Sequence, residues 1–246
     1  MMVKIIRSKK QMNNNQFISF SSQFSNPNIS AFFSNKNFSK LKNNTRNNFA
    51  NLTGLNGKLI IPKQTHSNIL YFAQNGGKID NCDGVFSSDK NLICSIQVAD
   101  CMPIYFANKF LNVYGIIHAG WRGLVNNIIL NARDLIIKNN YILEDFEIII
   151  GPSIQKCCFE VKSDIINKFN KKFVIKKNNG GFLIDLQGNA FSELHNFGFK
   201  KQNIIIENEC TFCNSDYYLS YRRNKRNNGR MYGLIGVMKD RGYLIS

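Results

Sequence analysis

Val113-Tyr114-Gly115-Ile116-Ile117, followed by His118-Ala119-Gly120-Trp121-Arg122-Gly123-Leu124, is the stretch from which the rest of the 246-residue sequence is best read. Its first half is a buried-type apolar run of strand length, and it stops at a Gly-rich turn. Beyond the turn, Leu124, Ile128, Ala132 and Leu135 recur at helical spacing, with Val125, Ile129 and Ile136 widening the stripe, so one helix is expected to follow the strand directly. Immediately upstream, Leu92 to Val98 and Ile104 to Ala107 read as strands on either side of a turn at Ala99-Asp100-Cys101-Met102-Pro103, with the proline expected to fix that turn.

The same reading extends outward in both directions. Lys58 to Pro62, Ile69 to Phe72, Phe146 to Ile150 (ending at Gly151-Pro152), Phe182 to Leu186, Asn203 to Glu207 and Tyr232 to Met238 are strand-like. Ser163 to Lys172 reads as an amphipathic helix capped by Ser163, and Gln187 to Phe197 as a helix ended by Gly198. The first 50 residues are Asn/Ser-rich, with short strand-like patches at Phe17 to Phe20 and Ile29 to Phe33, and residues 1–28 are expected to be a poorly defined polar segment. Strands alternating with helices over one domain's length imply a single α/β or α+β domain with mixed sheets, its strand-to-helix turns gathering polar groups at one edge.

Composition narrows the function. With 43% hydrophobic residues, only 4 Pro and no apolar run near membrane-spanning length, the chain is expected to be globular and free of the membrane. The start, Met1 to Asn15, has only the Val3, Ile5, Ile6 cluster and so no signal-peptide core, while seven Cys without a repeating framework point to a reducing cytoplasm. Lys+Arg outnumber Asp+Glu 32 to 16, but the lysines are scattered among Asn and Ile, and the excess reads as composition before it reads as a nucleic-acid surface. Three His in total exclude a multicopper oxidase, whose copper sites need on the order of ten imidazoles.

His66, Cys101 and His118 each sit at the end of an expected strand. Two imidazoles and a thiolate form a three-ligand set that leaves a fourth zinc position open, the mark of a catalytic site, although each residue also reads as an ordinary satisfied polar group. Gly120 and Gly123 permit close backbone approach, and the free N–H groups of a helix beginning near Trp121, with Arg122, could bind an anion. A different chemistry is open to the same residues: His118 deprotonates Cys101, whose thiolate attacks a carbonyl, with Asp100 or Gln64 orienting the imidazole. The adjacent Cys157-Cys158 read as packing residues under Phe159, and Cys210-Thr211-Phe212-Cys213 as a turn rather than half of a metal site. The basic run Arg222, Arg223, Lys225, Arg226 and Arg230 lies before the last strand, where Arg223 and Arg230 could reach an anion.

Taken together and in order, Gln64-Thr65-His66, Asp83-Gly84, the Ala99–Pro103 motif, His118 to Leu124, Gly151-Pro152-Ser153-Ile154 with Phe159-Glu160-Val161, Asp185-Leu186 and Ser220-Tyr221-Arg222-Arg223 with Gly229-Arg230-Met231 resemble the YfiH-like family. Its members were once labelled laccase-domain or polyphenol oxidoreductases and later described as purine nucleoside phosphorylases. The resemblance runs from about Ile29 to Val237. It implies an α+β domain of layered mixed sheets flanked by helices (α/β/β/α), similar to the deamidase core of cytotoxic necrotizing toxins. It also implies zinc held by His66, Cys101 and His118.

The implied substrates are a purine nucleoside (adenosine, inosine, guanosine or methylthioadenosine) and inorganic phosphate, with zinc-dependent adenosine deamination as a second activity. Carried onto this sequence, the resemblance puts phosphate near Arg46 and the Arg122 turn and the nucleoside over the zinc. Gln64, Arg223 and Arg230 complete the expected substrate contacts. Asp100 is the nearest group for proton transfer, because neither histidine belongs to the H-x-E motif of the usual zinc deaminases. The chain departs from the family pattern before Arg46, where Ser34-Asn35-Lys36-Asn37-Phe38-Ser39 and a shortened stretch replace a Gly-rich loop. Two other classes remain as alternatives: a Cys-His amidase in peptidoglycan editing, and a basic nucleic-acid-binding protein without turnover, disfavoured for want of a recognisable binding motif.

Overall fold

The computed structural model describes residues 16–178, 180–225 and 229–239; Met1 to Asn15 and Arg226 to Asn228, which figure in the sequence reading, lie outside the described residues. One six-stranded sheet contains β1 (Phe17–Ser19), β2 (Ile29–Ser34), β3 (Lys58–Pro62), β5 (Gly77–Ile79), β7 (Leu92–Val98) and β15 (Met231–Val237), in spatial order β1-β2-β15-β7-β3-β5. A second contains β4 (Leu70–Phe72), β6 (Gly84–Ser87), β8 (Met102–Asn108), β9 (Tyr114–Ala119), β10 (Phe146–Ile150) and β14 (Ile204–Ile206), in order β14-β10-β8-β9-β6-β4. A small sheet, β11-β13-β12, is built from β11 (Glu160–Val161), β12 (Val174–Lys176) and β13 (Phe182–Ile184).

The two large sheets pack face to face. Ile60, Ile96 and Val98 of the first meet Tyr105, Tyr114, Ile116 and Ile149 of the second in one buried cluster. Strands covered on both faces carry near-continuous apolar runs, which is why β8 and β9 are buried along their whole length. The outer face of the first sheet is covered by α1 (Lys36–Ser39) and α2 (Arg46–Thr53), through Phe38, Phe49 and Ala50. The outer face of the second is covered by α4 (Ile128–Lys138) and α6 (Leu186–Asn196), through Ile129, Ala132, Ala190 and Leu194. The result is the α/β/β/α layering expected of the chain, with mixed parallel and antiparallel pairing in both large sheets.

Several local expectations are corrected. The helix after Gly120 is two pieces, α3 (Trp121–Val125) and α4, separated at Asn127, whose φ of 64° is left-handed. Apolar spacing alone does not register such a break, because Leu124 and Ile128 remain in the same cluster across it. The segment Ser163 to Lys172 holds only the one-turn α5 (Ser163–Ile166), and Asn170 then caps a 3-10 turn by accepting from the Lys172 N–H. Pro103 lies inside β8, opposite His118, rather than in the preceding turn. Residues 17–24 fall in the segment expected to be polar and poorly defined, yet they bury Phe17, Ile18, Phe20 and Phe24, and the strand-like patch at Phe17 to Phe20 supplies β1 at the edge of the first sheet. The Asn-rich α2 escapes apolar periodicity, but Thr45 caps its start and Gly54, at φ 74°, ends it.

One packing feature of α6 predicts a pH effect. Glu193 accepts from the Asn189 amide through Oε1, whereas its buried Oε2 has no hydrogen-bond partner. Burial is the larger influence and raises the carboxyl to about 7, against an ordinary 4.5. A raised folded pKa contributes stability that is complete below the unfolded value and is lost as pH rises through the folded one. Glu193→Gln is therefore expected to stabilise the protein above pH 7, by about 2–3 kcal/mol, and to be nearly neutral below the unfolded pKa, as read from denaturant midpoints across that range.

Candidate metal centre and active-site cavity

Three chain segments meet where β7 leaves the first sheet and β8 enters the second. The crossover is Ala99-Asp100-Cys101, with Asp100 held at φ 82°, a left-handed conformation that costs a non-glycine residue energy. Antiparallel pairing of β8 with β9 sets Met102 against Ala119, so Cys101 and the Gly120 turn emerge at the same edge. The third segment, Lys63 to Ser67 after β3, brings His66, also left-handed at φ 60°.

The ligand atoms of His66, Cys101 and His118 all lie within 4.8 Å of one another, and the two imidazoles meet edge to face at 4.8 Å between centroids. Gly120 leaves room for this: a Cβ there would stand 2.9 Å from the sulfur and 3.4 Å from the His66 ring.

Asp83 organises the cluster, a role the sequence reading left to Asp100 or Gln64. Its fully buried carboxylate accepts from His118 Nδ1 at 2.8 Å and from the His66 N–H at 3.1 Å through Oδ1. Through Oδ2 it accepts from the Ser67 N–H (2.6 Å), the Ser67 hydroxyl (2.7 Å) and the Thr65 N–H (3.1 Å). Because a carboxylate only accepts, Nδ1 of His118 carries the proton and Nε2 is left to face Cys101 or a metal. Burial acts to raise Asp83, but the His118 and Ser67 hydrogen bonds outweigh it and hold the carboxyl at about 2. The one sequence signal for this residue was the Asp83-Gly84 pair at the start of β6.

Cys101 and His118 perturb each other strongly. Burial alone would raise the thiol and lower the imidazole; their mutual attraction reverses both, taking Cys101 down to about 6 and His118 up to about 9. Each group thus favours the charged form of the other, and a cation bound among the three donors would take the place of the imidazolium proton. The donor set suits a borderline-soft divalent metal, and Asp83 behind His118 is the carboxylate support that metal-binding histidines commonly have.

Above the three donors lies a cavity of about 490 Å³. Trp121, Phe159 and Tyr221 give it aromatic surfaces, and Arg122, Arg222 and Arg230 bring three guanidinium groups to its lining. Each arginine lies over one of those rings: Arg122 on Trp121 at 4.5 Å, Arg222 on Phe159 at 5.3 Å and Arg230 on Tyr221 at 5.8 Å. Arg222, read from sequence as part of a basic run and of the Ser220–Arg223 motif but not as a substrate contact, also donates to the Glu160 carbonyl.

The remaining expected residues are placed differently. Asp100 lines the cavity, but its carboxylate is taken up by the Thr211 hydroxyl (2.7 Å), the Ser220 hydroxyl (3.0 Å) and the Arg222 N–H (2.7 Å), which draw the loops 209–214 and 220–222 toward the site. Gln64 lines it too, with its amide paired to the backbone of Gln97. Arg46 lies in an adjoining cavity of about 550 Å³, bonded to Ser95 and, at 3.5 Å, to Gln64. Burial lowers Arg46 to about 10, which leaves it cationic at neutral pH. Arg223 is turned away from the cavity, its guanidinium donating to the carbonyls of Thr211, Phe212 and Tyr218 at the start of α7 (Tyr221–Asn224). The helix start at Trp121 has only five residues behind it, too few for a strong terminal dipole, so the positive charge here is Arg122 itself.

Fold and site define a two-sheet α/β/β/α protein with a His2Cys group on the crossover between its sheets. Residues 19–238 match the family described as multi-copper polyphenol oxidoreductase laccase, and the chain belongs to that family. A purine nucleoside phosphorylase of Staphylococcus saprophyticus is 32% identical over 193 residues, 72% of either chain. Among solved structures, YlmD of Geobacillus stearothermophilus superposes with a TM-score of 0.85 at 20% identity, over 94% of this chain and 99% of that one. The hypothetical protein YfiH of Bacillus licheniformis does so with 0.83 at 22%, over the same shares. The family's description does not describe a chemistry open to this chain, whose three histidines cannot furnish a set of copper sites. Among the described residues, no helix is long and apolar enough to cross a membrane.

Proposed function

We propose that the chain is a zinc-dependent, cytoplasmic purine nucleoside phosphorylase acting on adenosine, inosine, guanosine and methylthioadenosine. The observation that carries this reading is the cavity that combines a His66/Cys101/His118 donor set, flat aromatic walls and three arginines. In phosphorolysis the bond from C1′ to the purine nitrogen breaks, a bond from C1′ to a phosphate oxygen forms, and positive charge develops on the ribose. Trp121, Phe159 and Tyr221 offer faces on which a purine stacks. Arg122, Arg222 and Arg230 hold phosphate by charge-assisted hydrogen bonds and orient it against C1′. His66, Cys101 and His118 would hold a zinc ion, which would supply Lewis-acid chemistry to the reaction. Arg46 acts at one remove, through Gln64.

Adenosine deamination is the lesser activity in this reading. It needs a group that shuttles a proton, and the only carboxylate lining the cavity among the described residues is Asp100, whose oxygens are already engaged. Chromatography of adenosine incubated with the protein, with and without phosphate, is the test. Adenine and ribose 1-phosphate are expected only with phosphate, and inosine as a minor product in either buffer; adenosine intact in both would end the nucleoside reading. Arg122→Ala is expected to raise the KM for phosphate about 10- to 100-fold with metal content unchanged, since a charged hydrogen bond contributes about 1.5–3 kcal/mol. An unchanged phosphate KM would remove Arg122 from the anion site.

One observation favours a second reading. Cys101, His118 and Asp83 stand in nucleophile, base and orienting positions, the arrangement of a cysteine hydrolase acting on amides such as those of peptidoglycan. The two readings divide over the metal: chelation abolishes a zinc phosphorylase and spares a cysteine hydrolase.

A further inference from the structure

Outside the cavity, the chain brings together the four cysteines that sequence spacing had assigned to packing and to an ordinary turn. The sulfurs of Cys157, Cys158, Cys210 and Cys213 all lie within 4.8 Å of one another, with Cys158–Cys213 at 3.2 Å and Cys157–Cys213 at 3.7 Å. All four are free thiols. Four sulfurs placed tetrahedrally at a zinc–sulfur distance of about 2.3 Å are about 3.8 Å apart. The cluster is therefore near that spacing and well beyond the roughly 2.05 Å of a disulfide bond.

Backbone geometry explains how adjacent cysteines share one centre. In a strand, Cys157 and Cys158 would point to opposite faces. Here the chain turns at Gln155, whose carbonyl accepts from the N–H groups of both Cys158 and Phe159, and the two thiols converge. Cys210 and Cys213 lie on a second tight turn, in which the Asn214 N–H returns to the Cys210 carbonyl. A bridge between Ser153 and Cys210, with the Thr211 N–H bonded to the Ser153 carbonyl, sets the turns side by side. Arg223 stiffens the second turn by holding the Thr211 and Phe212 carbonyls.

We propose that Cys157, Cys158, Cys210 and Cys213 form a second metal site, a closed four-thiolate site for zinc. It shares no residue with the His2Cys group, and four protein ligands leave no position open, so its role is structural. It clamps the loop carrying Ile154 and Phe159, which line the cavity, to the loop carrying Thr211, which bonds Asp100.

The test uses the full chain with the first site removed. A His66→Ala/Cys101→Ala variant, purified from zinc-supplemented cells under reducing conditions, is expected to retain about one zinc per chain by atomic emission. Exchange for cobalt is expected to give intense thiolate-to-cobalt charge-transfer bands and to protect these four thiols from alkylation, as mapped by peptide mass spectrometry. Adding Cys157→Ser and Cys213→Ser, both at exposed positions, is expected to abolish the retained metal, with circular dichroism confirming the fold. Absence of metal from the His66→Ala/Cys101→Ala variant, a cobalt spectrum without thiolate bands, or a mass lowered by disulfide formation would each overturn the proposal. Because that variant lacks the His2Cys group, the outcome is independent of whether the wild-type protein turns over nucleosides.

Discussion

Cys101→Ala is expected to lose the metal of the His2Cys group and at least about 10³-fold in turnover, because Lewis-acid stabilisation contributes several kcal/mol and each 1.36 kcal/mol is tenfold in rate. The fold should survive: Cys101 is only partly buried at the edge of its cluster, and a small side chain removed there costs about 1 kcal/mol. Activity alone does not separate the metal reading from the hydrolase reading, since Cys101 is essential to both. The decisive comparison sets the variant beside wild-type protein treated with a chelator. Under the phosphorylase reading chelation matches the mutation and restored zinc rescues only the wild type; full activity without metal would leave the cysteine as a nucleophile. Metal counts must allow for the thiolate cluster at Cys157, Cys158, Cys210 and Cys213, which retains its own ion after Cys101 is gone.

Asp83→Ala is expected to have the largest effect on stability, about 3–5 kcal/mol, measured by denaturant unfolding. The carboxylate is fully buried and accepts from three backbone N–H groups, the Ser67 hydroxyl and His118, so truncation leaves that shell of donors unsatisfied. Asp83→Asn separates structure from tuning. An amide keeps the volume but replaces one accepting oxygen by a donor, so either the His118 or the loop contacts are lost, and metal affinity should fall about 10- to 100-fold. The pH dependence has a definite sign. A carboxyl held at about 2, below its ordinary 3.8, contributes stability that is present above the unfolded value and lost as pH falls through the folded one. The wild type should therefore show an acid-limb loss that Asp83→Ala lacks; parallel limbs would show that Asp83 carries no such charge.

Much of the candidate site was legible before any fold was known, because its residues lie at strand ends and turns that local patterning marks. His118 stands where an apolar run meets glycines, Cys101 sits in the turn before Pro103, and the strands over Lys58–Pro62, Leu92–Val98 and Phe146–Ile150 match their reading. Helix breaks and caps were less legible. Leu124 and Ile128 keep their apolar spacing across the Asn127 break, and α2 depends on Thr45 and Gly54 rather than on an apolar stripe.

Sequence by itself determined an α/β or α+β class through periodicity, and motif order along the chain carried the resemblance that implied the family, its layered fold and the three candidate donors. Tertiary structure alone decided which carboxylate serves the histidines, which arginines face the cavity and that four cysteines converge. Asp83 reaches His118 through the β6–β9 register, 35 residues away, and Cys158 reaches Cys213 through a bridge at Ser153, 55 residues away. The physical reason is the same in each case. A buried carboxylate or thiol cluster is defined by partners brought together through strand pairing and sheet packing, and residues that look like turn or packing residues in isolation acquire chemistry only when those partners arrive.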